Sequence, residues 1–163
     1  MTKWFRVFGA SDTTVEPAAL VELLRGSGWE ISTARFRGDE QGWFALEVLF
    51  EGAEAPWRLD RYLSTEEGIR AELNTWAAWV ETVEGNPHQA RLMQQLITAK
   101  QVFTFEIDVG DLDDAGLEKW CHDLCQFLAR ETAGVYQADG RGFFAADGTL
   151  LLAEGGAEKT GPR

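Results

Sequence analysis

Two passages of the chain, residues 3–50 and 102–152, run through the same succession of patterns, and this recurrence narrows the possible folds more than any other feature. Each begins with a period-two apolar run, crosses a polar loop, enters a stretch with helical spacing, and returns through short period-two segments. In each, a glycine precedes the strand that follows the helix: Gly28 before Trp29 and Gly134 before Val135. Two β-α-β-β units in one chain predict an α+β protein with a mostly antiparallel sheet and helices packed on one face, of the ferredoxin-like kind. Identity between the passages is too low for a sequence repeat.

The elements follow from local chemistry. Residues 3–8 alternate and stop at Gly9, which predicts a first strand. Pro17 suits the first turn of a helix, where its missing N–H leaves no bond unmade. Leu20, Leu23 and Leu24 form that helix's stripe, and Gly26 and Gly28 end it, giving a helix over Pro17–Arg25. Strands are expected over 29–37 and 43–50, joined by a turn with glycine at both ends. In the second of these, Phe44, Leu46, Val48 and Phe50 fall on one face and Trp43, Ala45, Glu47 and Leu49 on the other. Trp57–Leu63, "WRLDRYL", alternates with charged residues and is expected to be an edge strand, since edges use charge against stray pairing.

Ser64 to Glu67 has the form of a capping box. Beyond it Ile69, Leu73, Trp76, Val80 and Val83 make one helical stripe. Asn86 and Pro87 are expected to cap and start a second helix carrying Leu92, Met93, Leu96 and Ile97, so that the two form a helical hairpin over the sheet. Residues 102–108, "VFTFEID", are the clearest alternating strand. An acidic loop at 110–114 leads into a helix striped by Leu117, Trp120, Cys121, Leu124 and Leu128, its aspartates placed for capping and for the helix dipole. "YQADGRGFFAADGTLLL", residues 136–152, contains two Asp-Gly pairs and a G-x-G-x-x-A spacing. A dinucleotide fingerprint needs a helix after its glycines, and here strands continue, so the stretch predicts hairpin turns and a β-meander. One domain over 1–154 and a disordered tail over 155–163 complete the expectation.

Composition excludes more than it assigns. With 45% hydrophobic residues, seven tryptophans and ten phenylalanines, the 163-residue chain can build a core without disulfide or metal staples. A net charge of -12, with the basic residues scattered singly, disfavours nucleic acid and suits either solubility or a basic protein partner. No apolar run is long enough to span a membrane, and the amino-terminal residues lack a signal-peptide pattern, which together argue for a cytoplasmic protein. Cys121, His122 and Cys125 have neither zinc nor thioredoxin spacing, and on a helix they cannot converge on one ion, so the cysteines are expected to pack as small hydrophobes. His88 lies elsewhere. No metal or cofactor motif and no nucleophile-base motif is present, which leaves carboxylates as the only general chemistry.

The residues singled out for a partner surface are Trp57, Arg61 and Trp79, with Arg70 beside them, because tryptophan and arginine dominate binding hot spots. Arg141, in the first of the two Asp-Gly turns, is the one candidate within the glycine-rich stretch. Residues 132–152, "TAGVYQADGRGFFAADGTLLL", resemble a pattern at the ends of uncharacterised bacterial α+β proteins: a glycine, then Asp-Gly-x-Gly-Phe, then Asp-Gly and an aliphatic strand. The resemblance covers the last quarter of the chain and implies no activity, although small acidic proteins of this look are presumed to neutralise a toxin or bind another protein. The expected function is therefore a non-enzymatic, acidic protein-binding module for a basic partner, with a homodimer as one form of partnership. The alternative is a small enzyme or ligand-binding domain that uses carboxylates and arginine in a pocket between helices and sheet.

Overall fold

A computed structural model describes residues 2–108 and 115–154. The acidic loop at 110–114 and the tail at 155–163 lie outside the described residues. The elements are β1 (Thr2–Gly9), α1 (Pro17–Arg25), β2 (Ile31–Asp39), β3 (Gly42–Phe50), β4 (Trp57–Leu63), α2 (Ile69–Glu81), α3 (Gln89–Ile97), β5 (Gln101–Asp108), α4 (Ala115–Glu131), β6 (Val135–Ala138), β7 (Gly142–Ala145) and β8 (Leu150–Ala153). All eight strands join one sheet in the order β2-β3-β4-β5-β1-β6-β7-β8, every pairing antiparallel. The α+β class read from the sequence is thus the class of the structure. Both halves have the same plan, a strand, a crossover helix and three further strands. Their first strands, β1 and β5, pair over eight residues at the centre of the sheet.

Alternation along the strands divides the core in two. Phe5 and Val7 of β1 pack with Leu20 and Leu24 of α1 and with Trp120, Cys121, Leu124 and Leu128 of α4. Phe8, one residue on, packs with Leu73, Trp76 and Val80 of α2 and Leu92 and Leu96 of α3. The expectation of helices on one face therefore holds for α1 and α4, and the hairpin α2–α3 takes the opposite face. The reason is visible in β6 and β7: Val135 and Phe143 point away from α4, and without the hairpin these apolar side chains would be in water. Each such side chain stabilises the fold by ~2 kcal/mol on full burial.

Three local expectations change in the tertiary context. "WRLDRYL" is not an edge: β4 lies between β3 and β5, and its charged residues are matched by Arg58 Nε donating to Asp60 at 2.7 Å and by contacts of Arg61. The edges are β2, which carries exposed Arg35 and Arg37, and the four-residue β8, and both features discourage pairing with other chains. The capping box does not form, because α2 starts only at Ile69 behind Gly68 in the left-handed region, and the Glu66 carboxylate accepts instead from the Leu63 amide. Asn86 does turn the chain, accepting from the His88 amide at 2.7 Å, but α3 begins two residues later than Pro87.

A bulge in β3 alters which residues face the core. Arg37 pairs with Ala45 and Gly38 with Trp43, so Phe44 is the unpaired extra residue. The bulge puts Trp43 on the same side as Leu46 and Val48, where it packs and donates its indole N–H to the Val15 carbonyl at 2.9 Å. Phe44, expected to share the face of Leu46, is left 37% exposed.

The Asp-Gly stretch is the predicted meander of β6, β7 and β8. Asp139 does more than turn the chain. Its carboxylate accepts from the Trp4 amide and from Arg6, and Gln137, itself fully buried, links it to Glu154. Burial pushes the Asp139 carboxyl upward, but the Gln137 bond and the Arg6 charge outweigh it and hold the group below the ordinary aspartate range.

The cysteines are buried against α4's neighbours, and burial raises the Cys121 thiol to about 12. His122 lies between them in sequence but turns to the sheet, with Nδ1 2.9 Å from the Tyr136 hydroxyl and ring contacts to Phe5 and Phe144. Burial lowers its pKa, and Arg141 acts in the same direction, while Glu118 and Asp123 oppose. A histidine held neutral in the fold contributes stability that is complete above its ordinary value of 6.5 and is lost as pH falls through the depressed value. The melting temperature is accordingly expected to drop between pH 7 and pH 5, and the drop should be smaller in His122→Gln. An equal drop in the variant would assign the pH dependence to other groups.

Candidate functional site

Arg61 is the most unusual side chain in the molecule. It stands on β4 in phase with Leu59, so the strand aims a guanidinium into the layer beneath α1, and it is only 5% exposed. Nε donates to Gln101 Oε1 at 2.8 Å, and Nη1 donates to the carbonyls of Trp43 at 2.9 Å and Gln41 at 3.4 Å. The Trp43 ring lies 5.9 Å from the guanidinium carbon. Gln101, fully buried on the adjacent β5, donates from Nε2 to the carbonyls of Ser11 and Thr13, both at 2.8 Å. Arg61 and Gln101 together therefore tie the β1–α1 loop and the β2–β3 hairpin to the centre of the sheet.

No carboxylate among the described residues lies within ion-pair distance of Arg61. Burial lowers its pKa, and the charges of Glu66 and Asp39 oppose this from further away. Arginine remains protonated under such a shift, so a cation is held almost out of water by neutral acceptors alone.

Two depressions open on this guanidinium. One, of about 520 Å³, is lined by Asp12, Thr14, Gln41, Ser64, Arg70 and Lys100 as well as Arg61. The other, of about 290 Å³, has Asp39, Glu66 and exposed Phe44 on its walls. The first lies where the hairpin meets the sheet, since Arg70 opens α2 and donates to the carbonyls of Ile97 and Ala99 at the end of α3. Lys100 reaches the same rim because its amide is tied to the Gly9 carbonyl at 2.8 Å. The two depressions differ in sign, with three cations against Asp12 in the larger and two carboxylates against Arg61 in the smaller.

The other residues singled out in the sequence do not gather around Arg61. Trp57 is half-buried in an aromatic cluster, 5.4 Å from Phe105 and 5.1 Å from Trp120 between ring centres, and its indole N–H is buried without an acceptor among the described residues. Trp79 is half-buried on the hairpin face, stacked on Phe143 at 6.0 Å and edge-on to Trp76. Arg141 is exposed and donates to Glu118 at 2.8 Å. Among the described residues no group of three or more His, Cys, Asp or Glu could hold a metal ion, and no helix is long and apolar enough to cross a membrane.

Gln101 and Lys100 were not distinguished by sequence reasoning. A signal existed: Gln101 is in phase with Phe103, Phe105 and Ile107, as Arg61 is with Leu59, so each is a polar residue on an otherwise apolar strand face. The fold defines an α+β protein built on a single eight-stranded antiparallel sheet, with a buried arginine at the junction of hairpin and sheet. No family model matches the chain, and no curated protein or solved structure matches it.

Proposed function

We propose that this chain is an acidic, non-enzymatic protein-binding module that docks a basic partner at the smaller depression. The observation that carries the reading is the surroundings of Phe44: the β3 bulge turns this ring outward beside Asp39 and Glu66, with Glu40 and Glu67 exposed next to them in sequence. An exposed ring edged by carboxylates suits a lysine or arginine side chain, whose aliphatic stem packs on the ring while the charged end meets the acids. The net charge of -12 supports the same reading, because complementary charge accelerates encounter and sets specificity. Nothing in this arrangement calls for a reaction.

The experiment is capture of a partner from the native cell extract at low salt, repeated with Glu40→Lys/Glu67→Lys and with Phe44→Ser. A basic protein held by the parent chain, released at high salt and held at least tenfold more weakly by both variants is the expected result. Capture that is indifferent to salt, or unchanged in the variants, overturns the proposal.

A further inference from the structure

We infer that the larger depression is a binding site for an oxyanion, the phosphate or carboxylate group of a small ligand. The inference does not rest on the protein partner proposed above. Its basis is a buried cation with unused capacity. Arg61 has five N–H donors, and its bonds to Gln101, Trp43 and Gln41 engage Nε and Nη1. Among the described residues Nη2 has no hydrogen-bond partner, while the residue as a whole is only 5% exposed and borders the depression. A buried arginine is ordinarily matched by a carboxylate, since an uncompensated charge out of water is costly. No carboxylate among the described residues takes that role at Arg61.

The walls suit an oxyanion. Arg70 and Lys100 bring two further cations, so the depression carries three positive groups and one carboxylate in a chain whose net charge is -12. Thr14, Ser64 and Thr65 add hydroxyls that can donate to an oxyanion, as the side-chain amide of Gln41 can. Arg70 is already oriented by the carbonyls at the end of α3, which limits the side-chain entropy lost on binding. Asp12 is the only carboxylate on the walls and would repel the ligand. Glu66 and Asp39 face Arg61 from the other depression and moderate its charge without contacting it. A volume of about 520 Å³ is far more than one phosphate needs and is within the range of small-molecule sites.

The test uses the full chain labelled with nitrogen-15 and two titrations, inorganic phosphate in one and acetate in the other, at constant ionic strength. Saturable shifts are expected at the Arg61 Nε resonance and at the Ser64 and Thr65 amides. Lys100→Glu, at an exposed side chain that bonds nothing among the described residues, should weaken binding at least tenfold. Asp12→Asn should tighten it severalfold, which a purely structural role for these residues would not produce. Response to phosphate alone identifies a phosphate-bearing ligand, response to acetate alone a carboxylate, and response to both the shared oxyanion chemistry. Absence of saturation in both titrations, or affinities equal in the parent chain and in both variants, overturns the inference.

Discussion

Gly142→Ala is expected to destabilise the protein by about 3 kcal/mol, lowering the melting temperature by roughly 6–12 °C for a domain of this size. Gly142 opens β7 with φ of 128°, where a side chain is strained by itself, and a Cβ there would lie 1.9 Å from the Leu152 carbonyl oxygen of the paired β8. That oxygen belongs to a backbone held in the sheet and cannot step aside. Gly85→Ala supplies the comparison. Gly85 also has positive φ, 76°, but an added Cβ meets nothing within 4 Å, so only the backbone strain of about 1 kcal/mol should appear. Thermal or denaturant unfolding of the two variants checks this, and equal losses would mean that the close approach of β7 to β8 is not what requires glycine.

Gln101→Leu is the second substitution with a large expected effect, again about 3 kcal/mol. Leucine fills a similar volume but removes the acceptor of Arg61 Nε and the donor to the Ser11 and Thr13 carbonyls. A buried charge loses a partner, and two loop carbonyls lose theirs. Faster hydrogen exchange should accompany the loss at the amide of Ser11, which donates to the Thr132 carbonyl across the same loop. Arg61→Met should relieve part of the effect. With the cation gone, Gln101→Leu no longer strands it, so the double variant should be more stable than the sum of the single losses by about 1 kcal/mol. Strict additivity would show that the two side chains stabilise the fold separately.

These two positions also mark what could be read in the sequence. Gly142 belongs to a stretch whose Asp-Gly pairs announce turns, and the hairpins form where those pairs stand. What the pattern does not give is that β8 returns so close that a methyl group has no room, since that depends on a neighbour ten residues away. The same holds for Gly134. Its place before a strand is visible, but the reason it must be glycine is that a Cβ would meet the Phe8 carbonyl oxygen at 2.1 Å, in the other half of the chain.

The candidate site shows the same division. Arg61 was singled out because arginine is common in binding hot spots, and the edge reading of β4 gave no sign that it would be buried. Burial came from β5, which pairs with β4 after 37 intervening residues, from Leu63 to Gln101. Sequence periodicity cannot foresee that partner, because charge on a strand is equally compatible with an edge and with a buried bond to a neighbour's glutamine. Phe44 was misplaced for a different reason. Alternation assumes one residue per step, and the bulge at Trp43 and Phe44 adds a residue that shifts the phase.

By itself, then, the sequence determined the kinds of elements, nearly all their positions, the α+β class and the doubled strand-helix-strand plan, since these depend on spacing and turn chemistry within a few residues. Only the tertiary structure decided that β1 and β5 meet at the centre, that the hairpin covers the second face, and that Arg61 is buried beside a groove of like charge. Those outcomes depend on which strands pair and which faces need cover, and both are settled by contacts between residues far apart in the chain.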